Sequence, residues 1–123
     1  MRLLIVDDSI FSQRFIKRII NTIFPDIEVI LANSGEMALE LFNAEKIDLI
    51  ITDLLMTGMN GLELIRLIRE NNNTVNIIVH SSDVQKAVRD EIDQYNVLAF
   101  INKPMNAEKE ELLSSIIERC LNA

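Results

Sequence analysis

Residues 3–8 read LLIVDD, a short apolar run that ends in two adjacent carboxylates. A similar pattern returns further along the chain, as LIIT before Asp53, IIVH before Ser81 and VLAFIN before Lys103. Short runs of this kind are typical of parallel strands that are buried on both faces. If the runs belong to one parallel sheet, the residues that follow them share its carboxyl edge, where open α/β folds bind their ligands.

Five apolar runs alternate with five segments of helical periodicity. The runs are Leu3–Val6, Glu28–Ala32, Leu49–Thr52, Val75–His80 and Val97–Ile101. This alternation predicts five βα units, and therefore a doubly wound α/β fold with a five-stranded parallel sheet and helices on both faces. We expect one domain, residues 1–123, because this length suits a single core and three glycines and two prolines leave little room for a linker.

Local signals mark the ends of the helices. Pro25 should stop the first helix, and Asn33-Ser34 should cap the second. Gly61 should open the third, and Asp83 should cap the fourth. Their apolar positions include Phe11, Phe15, Ile16, Ile19, Ile20 and Ile23 in the first helix and Val84, Ala87, Val88 and Ile92 in the fourth. The fifth is predicted from one apolar stripe, formed by Leu112, Leu113, Ile116, Ile117, Cys120 and Leu121.

The composition excludes several classes of protein. A net charge of −7 disfavours direct nucleic-acid binding, which needs lysines and arginines for the phosphates. No apolar stretch reaches the roughly 18 residues of a membrane helix, and the first apolar run is too short for a signal peptide. Cys120 is the only cysteine, so an internal disulfide is impossible. We therefore expect a cytoplasmic protein without a membrane partner.

The carboxylates at the predicted sheet edge indicate a cation site. Asp7 or Asp8 alone could cap the first helix, and Asp53 alone could be an ordinary loop residue. Together they would repel each other by a few kcal/mol at about 4 Å and an effective dielectric near 20, so a compensating cation is expected. Oxygen ligands at an open site suit Mg²⁺ or Mn²⁺, which also take phosphate oxygens as ligands.

Two further side chains suit a transferred phosphoryl group. Pro104 restricts Lys103 to an extended conformation, and an ammonium that faces carboxylates is a suitable counter-ion for a phosphoryl group. Ser81 could cap the fourth helix, but Ser82 and Asp83 compete for that role. Their competition would leave the Ser81 hydroxyl for a phosphoryl oxygen. The edge therefore predicts a divalent-cation and phosphoryl site.

With these residues in place, the whole chain resembles the receiver domains of two-component response regulators, close to the single-domain chemotaxis type. Residues 53–61, DLLMTGMNG, are similar to the family's stretch around its phosphorylated aspartate. One departure is Thr57, where the family usually has proline. The resemblance implies the flavodoxin-like strand order 2-1-3-4-5.

The resemblance also implies roles for the acidic residues. Asp53 would be the phosphoacceptor. Asp8 and Asp53 would bind Mg²⁺ directly, and Asp7 would act mainly through water. The main-chain carbonyl of Leu55 would complete the protein ligands.

The remaining implied roles concern transfer and switching. Lys103 would support the transfer, and Ser81 would bind the phosphoryl group and shift toward it. Phe100 would be an aromatic switch, although it could also be an ordinary core residue. His80 is expected to be a packed histidine rather than a ligand, and Cys120 a small buried apolar residue.

The resemblance predicts a signalling switch rather than a turnover enzyme. A sensor histidine kinase or phosphotransfer protein would donate the phosphoryl group, and an effector would bind helix four, strand five and helix five. One alternative is a phosphatase of the haloacid-dehalogenase type, but that chemistry needs an acid where this chain has Leu55. A receiver used only for docking, or a piece of a longer regulator or hybrid kinase, are further alternatives.

Overall fold

The five apolar runs form the strands of one parallel sheet in a computed structural model that describes residues 1–83 and 85–123. The strands are β1 (Arg2–Val6), β2 (Glu28–Ala32), β3 (Leu49–Thr52), β4 (Asn76–Ser81) and β5 (Ala99–Asn102). The helices are α1 (Ile10–Ile23), α2 (Gly35–Ala44), α3 (Gly61–Asn71), α4 (Lys86–Asp93) and α5 (Ala107–Leu121). The sheet order β2-β1-β3-β4-β5 confirms the predicted doubly wound fold.

The strand register brings the candidate residues to one edge. Val6 pairs with Thr52, and Thr52 pairs with Val79. Ser81 pairs with Asn102 at the end of the last two strands. Because the pairing is parallel throughout, the residues at and after these ends emerge on the same side of the sheet.

The sheet separates two apolar layers. One layer packs against α2, α3 and α4 and contains Leu4, Val6, Ile50, Ile77 and Val79 from the strands. The other packs against α1 and α5 and contains Leu3, Ile5, Leu49, Ile51, Ile78 and Ile101. Burial of each large apolar side chain contributes roughly 1.5–3 kcal/mol, so both faces of the sheet hold the strand ends in place.

Four of the five helices begin at a side-chain cap. The side-chain oxygens of Ser9, Ser34, Asn60 and Asn106 each accept a hydrogen bond from the main-chain N–H three residues later. The predicted start signals Ser34 and Gly61 are therefore confirmed. These bonds satisfy backbone donors that an uncapped helix leaves free.

The predicted cap of α4 is wrong. The helix begins at Lys86, and Gln85 at the cap position makes no side-chain hydrogen bond to the described residues. Asp83 instead accepts a hydrogen bond from the main-chain N–H of Gln85 at 3.0 Å, within a turn before the helix. Asp83 lies two positions before the cap position of α4, so its carboxylate closes the turn and does not cap the helix. Val84, which the sequence places on this helix, lies outside the described residues.

The buried stripe of α1 differs from the predicted one. Phe11 is 80% exposed and Phe15 is 40% exposed, whereas Gln13 is buried with Ile16 and Ile20. Gln13 is buried because its side-chain amide donates to two main-chain carbonyls at the sheet edge. The two exposed rings stack on each other, with centroids 6.2 Å apart.

The stripe of α5 is narrower than predicted. Leu113, Ile116 and Ile117 are buried, but Leu112 and Leu121 are exposed on the solvent side. Cys120 is half-buried beside the α1–α5 layer, and burial raises the pKa of its thiol. No helix in the two described ranges has the length and apolar character needed to cross a membrane.

The last strand starts later than predicted. Asn96 adopts a left-handed conformation with φ of 57°, and the main-chain N–H of Leu98 donates to Ile77 at 2.8 Å. Val97 and Leu98 therefore belong to the turn that leads the chain to β4, and β5 begins at Ala99.

Candidate functional site

The predicted carboxylates and lysine meet at the carboxyl edge of the sheet. The Lys103 Nζ donates to Asp7 Oδ2 at 2.8 Å and to Asp53 Oδ2 at 2.9 Å. Asp7 is 4% exposed and Asp53 is 6% exposed, so both carboxylates lie in a poorly solvated environment. The ammonium of Lys103 therefore supplies one positive charge between the two carboxylates. The divalent cation expected for Asp7, Asp8 and Asp53 stays a prediction.

The charge of Lys103 is stabilised by this arrangement. Burial lowers the pKa of the ammonium, but the hydrogen bonds and negative charges of Asp7 and Asp53 outweigh burial and raise the pKa above its usual value. Lys103 therefore stays protonated at neutral pH. Its main-chain N–H also donates to the Ser81 carbonyl at 3.0 Å, which fixes the start of the loop after β5.

Main-chain donors hold the Asp53 carboxylate in one orientation. Asp53 follows the last residue of β3, and its Oδ1 accepts hydrogen bonds from the N–H groups of Leu54 at 2.6 Å and Leu55 at 3.2 Å. Its other oxygen contacts Lys103. The position and direction of this carboxylate are thus set before any ligand arrives.

Asp7 is held by a residue that the sequence analysis missed. The side-chain amide of Gln13 donates to the Asp7 carbonyl at 2.6 Å and to the Ala32 carbonyl at 2.9 Å, which ties the ends of β1 and β2 together. The Asp7 carboxylate also accepts from the Ser9 N–H at 2.9 Å. A polar residue three positions before Ile16, on the same face of α1, was the signal that could have identified Gln13.

Asp8 has a different hydrogen-bond partner from Asp7 and Asp53, which both contact Lys103. Its side chain is exposed, and Oδ2 accepts a hydrogen bond from the Thr57 N–H at 3.2 Å across the loop between β3 and α3. Within residues 1–83 and 85–123, no three acidic, histidine or cysteine side chains converge closely enough to hold a metal ion. The donors have the chemistry that Mg²⁺ prefers, but Lys103 rather than Asp8 completes the arrangement around Asp7 and Asp53.

The loop that carries Thr57 approaches α2. Gly58 has a φ of 78°, in the left-handed region that favours glycine. The main-chain N–H of Met59 donates to the Glu36 carboxylate at 3.3 Å. Thr57 keeps the N–H that a proline would lack, and this group donates to Asp8. Together with the Met59 bond, the loop is hydrogen-bonded to both Asp8 and Glu36.

Ser81 is the last residue of β4 and is fully buried. Its Oγ accepts a hydrogen bond from the Asp83 N–H at 3.2 Å, so the predicted side chain is engaged in a local turn. A cleft of about 530 Å³ opens beside this turn. Its walls are formed by Asp8, Leu54, Leu55, Met56, Thr57, Asn60, Leu62, Asp83 and Val88.

Phe100 and His80 lie on opposite faces of the sheet near this edge. Phe100 is half-buried and packs against the layer of α2, α3 and α4. His80 is 5% exposed, which confirms that it is a packed residue, and its Nε2 has no hydrogen-bond partner in the described part of the chain. Burial, followed by the positive charge of Lys103, lowers the pKa of His80 to about 4, so its imidazole is neutral at physiological pH.

Comparison with known proteins agrees with this geometry. The sequence profile of the response regulator receiver domain matches residues 3–117. The chain is 32% identical over 116 residues to protein-glutamate methylesterase/protein-glutamine glutaminase 3 of Geobacter sulfurreducens, covering 93% of this chain and 30% of that protein. It is 35% identical over 120 residues to the nitrate/nitrite response regulator protein NarL of Escherichia coli, covering 93% and 52%. The chain thus spans about a third to a half of the length of these relatives.

A solved structure shows the same fold. The response regulator domain of Thermotoga maritima CheB superimposes with a TM-score of 0.81 at 30% identity, covering 100% of this chain and 95% of that one. The sequence profile covers nearly the whole chain, and the sheet order agrees with the order expected of the family. This chain belongs to the receiver domain family of two-component response regulators.

Proposed function

We propose that this chain is a phosphoacceptor switch in which Asp53 receives a phosphoryl group from a phosphohistidine. The observation that carries the proposal is the placement of Asp53. Its buried carboxylate is fixed by two main-chain N–H groups and lies 2.9 Å from the ammonium of Lys103. An oriented nucleophile beside a fixed positive charge is what phosphoryl transfer requires.

The transfer is an in-line displacement at phosphorus. The P–N bond to the donor imidazole breaks while a P–O bond to an Asp53 oxygen forms, and the electron pair of the broken bond returns to the imidazole nitrogen. Lys103 faces the negative charge that arrives with the phosphoryl group. Asp7 keeps Lys103 at this position through its own 2.8 Å hydrogen bond. Ser81, after release from its turn, donates its hydroxyl hydrogen to a phosphoryl oxygen.

The reaction is proposed to need Mg²⁺ or Mn²⁺. Asp8 and Asp53 would hold the ion with their carboxylates, Leu55 with its main-chain carbonyl and Asp7 through water. Among residues 1–83 and 85–123 the exposed Asp8 carboxylate has one donor, the Thr57 N–H, which leaves it available to a cation. When bound, the ion supplies positive charge to the phosphoryl oxygens.

The donor is a sensor histidine kinase or a phosphotransfer protein that approaches the carboxyl edge. Exposed apolar side chains near this edge support docking there, since Phe11 is 80% exposed and Leu55 is 53% exposed. The cleft of about 530 Å³ leaves space for the donor's phosphoimidazole. The downstream effector is assigned to the surface of α4, β5 and α5.

The chain then catalyses only its own phosphorylation and dephosphorylation. A phosphatase of the haloacid-dehalogenase type needs a proton donor two residues after the nucleophile. Here that residue is Leu55, whose side chain has no proton to transfer.

Intact-mass spectrometry tests the proposal. The purified chain is incubated with Mg²⁺ and acetyl phosphate, which supplies a phosphoryl group without a partner protein. We expect one added phosphate in the wild type and none in Asp53→Asn. Lys103→Ala should take up phosphate more slowly, because the transferred charge loses its counter-ion.

Asp48→Asn is the matched control for Asp53→Asn. Asp48 lies at the opposite edge of the sheet, where its carboxylate accepts from the Arg2 N–H at 2.8 Å. This variant removes one carboxylate from the chain without touching the candidate site, so it should be phosphorylated like the wild type. Phosphate on a folded Asp53→Asn variant would assign the acceptor to another residue.

A further inference from the structure

A cation–π contact joins α4 to β5. The guanidinium carbon of Arg89 lies 4.6 Å from the centre of the Phe100 ring. Phe100 is half-buried and packs against the apolar layer below α4, so Arg89 covers its outer face. Contacts of this kind stabilise by about 0.5–1 kcal/mol at exposed sites and by more where water is excluded.

Arg89 makes this contact although carboxylates are close along its own helix. Asp90, Glu91 and Asp93 all lie within four residues of it. Among the described residues, however, the ion pair formed on this helix joins Lys86 to Asp90, at 2.8 Å, and Arg89 has none. The ring of Phe100 is therefore the partner of the Arg89 guanidinium.

Helix α4 has few other attachments. Its cap position, Gln85, makes no side-chain hydrogen bond, and Ile92 is its one buried residue among those described. An eight-residue helix whose described cap residue makes no side-chain bond depends on tertiary contacts for its position. Ile92 and the partly buried Val88 attach α4 to the apolar layer, and the Arg89–Phe100 contact joins the helix to β5 itself.

We propose that Arg89 is a positioning residue that holds Phe100 and α4 in the arrangement of the unphosphorylated chain. Loss of the guanidinium frees the ring and shifts the α4–β5 surface toward its phosphorylated arrangement. This inference rests on the proposed function, because the shift is defined by phosphorylation of Asp53. In this proposal the arrangement that phosphorylation stabilises is also the one that reacts, so a change that raises its population raises the rate of phosphate uptake in proportion.

A double-mutant cycle tests the contact without phosphorylation. Arg89→Met, Phe100→Leu and the double variant are unfolded with urea beside the wild type. If the contact positions the ring, the change in the unfolding constant of the double variant differs from the product of the two single-variant changes by about two- to fivefold. If the free-energy changes of the two single variants add up to that of the double variant, the proposal is overturned.

Acetyl phosphate labelling tests the positioning role. Arg89→Met should accumulate phosphate about two- to fivefold faster than the wild type, and Arg89→Lys should fall between them. Lys86→Met removes one positive charge from the same helix without touching Phe100, so it should behave like the wild type. Equal rates in Arg89→Met and Lys86→Met would overturn the positioning role. A wild type that takes up no phosphate would instead contradict the proposed function and leave the result of the cycle standing.

Discussion

The two walls of the proposed phosphoacceptor pocket are built in different ways. The carboxylate wall consists of Asp7, Asp53, Lys103 and the start of α3. The α4 wall consists of residues 81–83 and α4. In the first wall, buried charges are paired at 2.8 and 2.9 Å, and main-chain N–H groups fix the Asp53 carboxylate.

The α4 wall has far fewer constraints. Among the described residues, α4 buries Ile92 alone, and its cap position makes no side-chain hydrogen bond. Segments with little buried surface open at low free-energy cost, whereas densely packed segments open only with the whole domain. The proposed pocket thus combines a carboxylate in a fixed position, that of Asp53, with a neighbouring helix that has little buried surface.

The largest effect is expected where α3 begins. A Cβ at Gly61 would contact the Asp53 carbonyl oxygen and lie 2.8 Å from the Leu54 Cα, and neither main-chain group can yield without moving Asp53. Gly61→Ala should destabilise the fold by about 3 kcal/mol or more, although alanine is the better helix former. Thermal unfolding should show a midpoint lower by about 10 °C.

Ala87→Gly is the comparison in the other wall. Ala87 is exposed on α4, so its loss should cost at most about 1 kcal/mol, the ordinary difference in helix propensity. If Gly61→Ala is no more destabilising than Ala87→Gly, the carboxylate wall is not the rigid one.

The next effect concerns pH and His80, which precedes Ser81 where the two walls meet. Burial and Lys103 lower its pKa to about 4, whereas the unfolded chain has the ordinary value of 6.5. Between pH 6.5 and pH 4, His80 is therefore protonated in the unfolded state but stays neutral in the folded state. This contribution to stability is complete above pH 6.5, is lost as the pH falls toward 4, and amounts to roughly 3 kcal/mol at most.

His80→Val isolates this contribution. Between pH 7 and pH 4 the wild type should lose more stability than the variant, as measured by urea unfolding at each pH. The titration of the carboxylates is common to both proteins and drops out of the difference. Parallel pH dependence of the two proteins would show that His80 is not held neutral by its surroundings.

The smallest effect compares two helix caps. The Asn106 side chain caps α5 by accepting from the Lys109 N–H at 2.9 Å, whereas Gln85 makes no such bond at α4 within the described part of the chain. Asn106→Ala should destabilise the fold by about 1 kcal/mol, and Gln85→Ala should have almost no effect. Chemical denaturation of both variants measures this difference, and equal losses would remove the contrast between the two helices.

The sequence predicted the positions of the carboxylate wall well. Asp7, Asp53 and Lys103 each follow a strand that is apolar on both faces, and parallel pairing leaves few ways to arrange such strands. Asp53 and Lys103 are therefore brought together by the topology of the sheet. Direct bonding of both carboxylates to Lys103 could not be predicted, because it depends on side-chain geometry across three strands.

The sequence was less informative about the α4 wall and the surface of α1. Asp83 has the chemistry of a cap, but whether it caps α4 or closes the preceding turn depends on local backbone geometry. Phe11 has helical spacing with Phe15, yet Gln13 is the buried residue because the carbonyls at the ends of β1 and β2 need a donor. The turn at Asp83 and the buried face of α1 are thus each set by hydrogen bonds, which the spacing of apolar residues does not reveal.

The difference between the walls is tested most directly by amide hydrogen exchange, measured by mass spectrometry before and after phosphorylation with acetyl phosphate and Mg²⁺. In the unmodified chain, residues 86–93 should exchange faster than the capped and better buried α5. Phosphorylation should change exchange mainly in residues 81–83 and 85–100, and leave β1 and β3 unchanged. Equal protection of α4 and α5 before phosphorylation, or changes confined to β1 and β3 after it, would contradict this account.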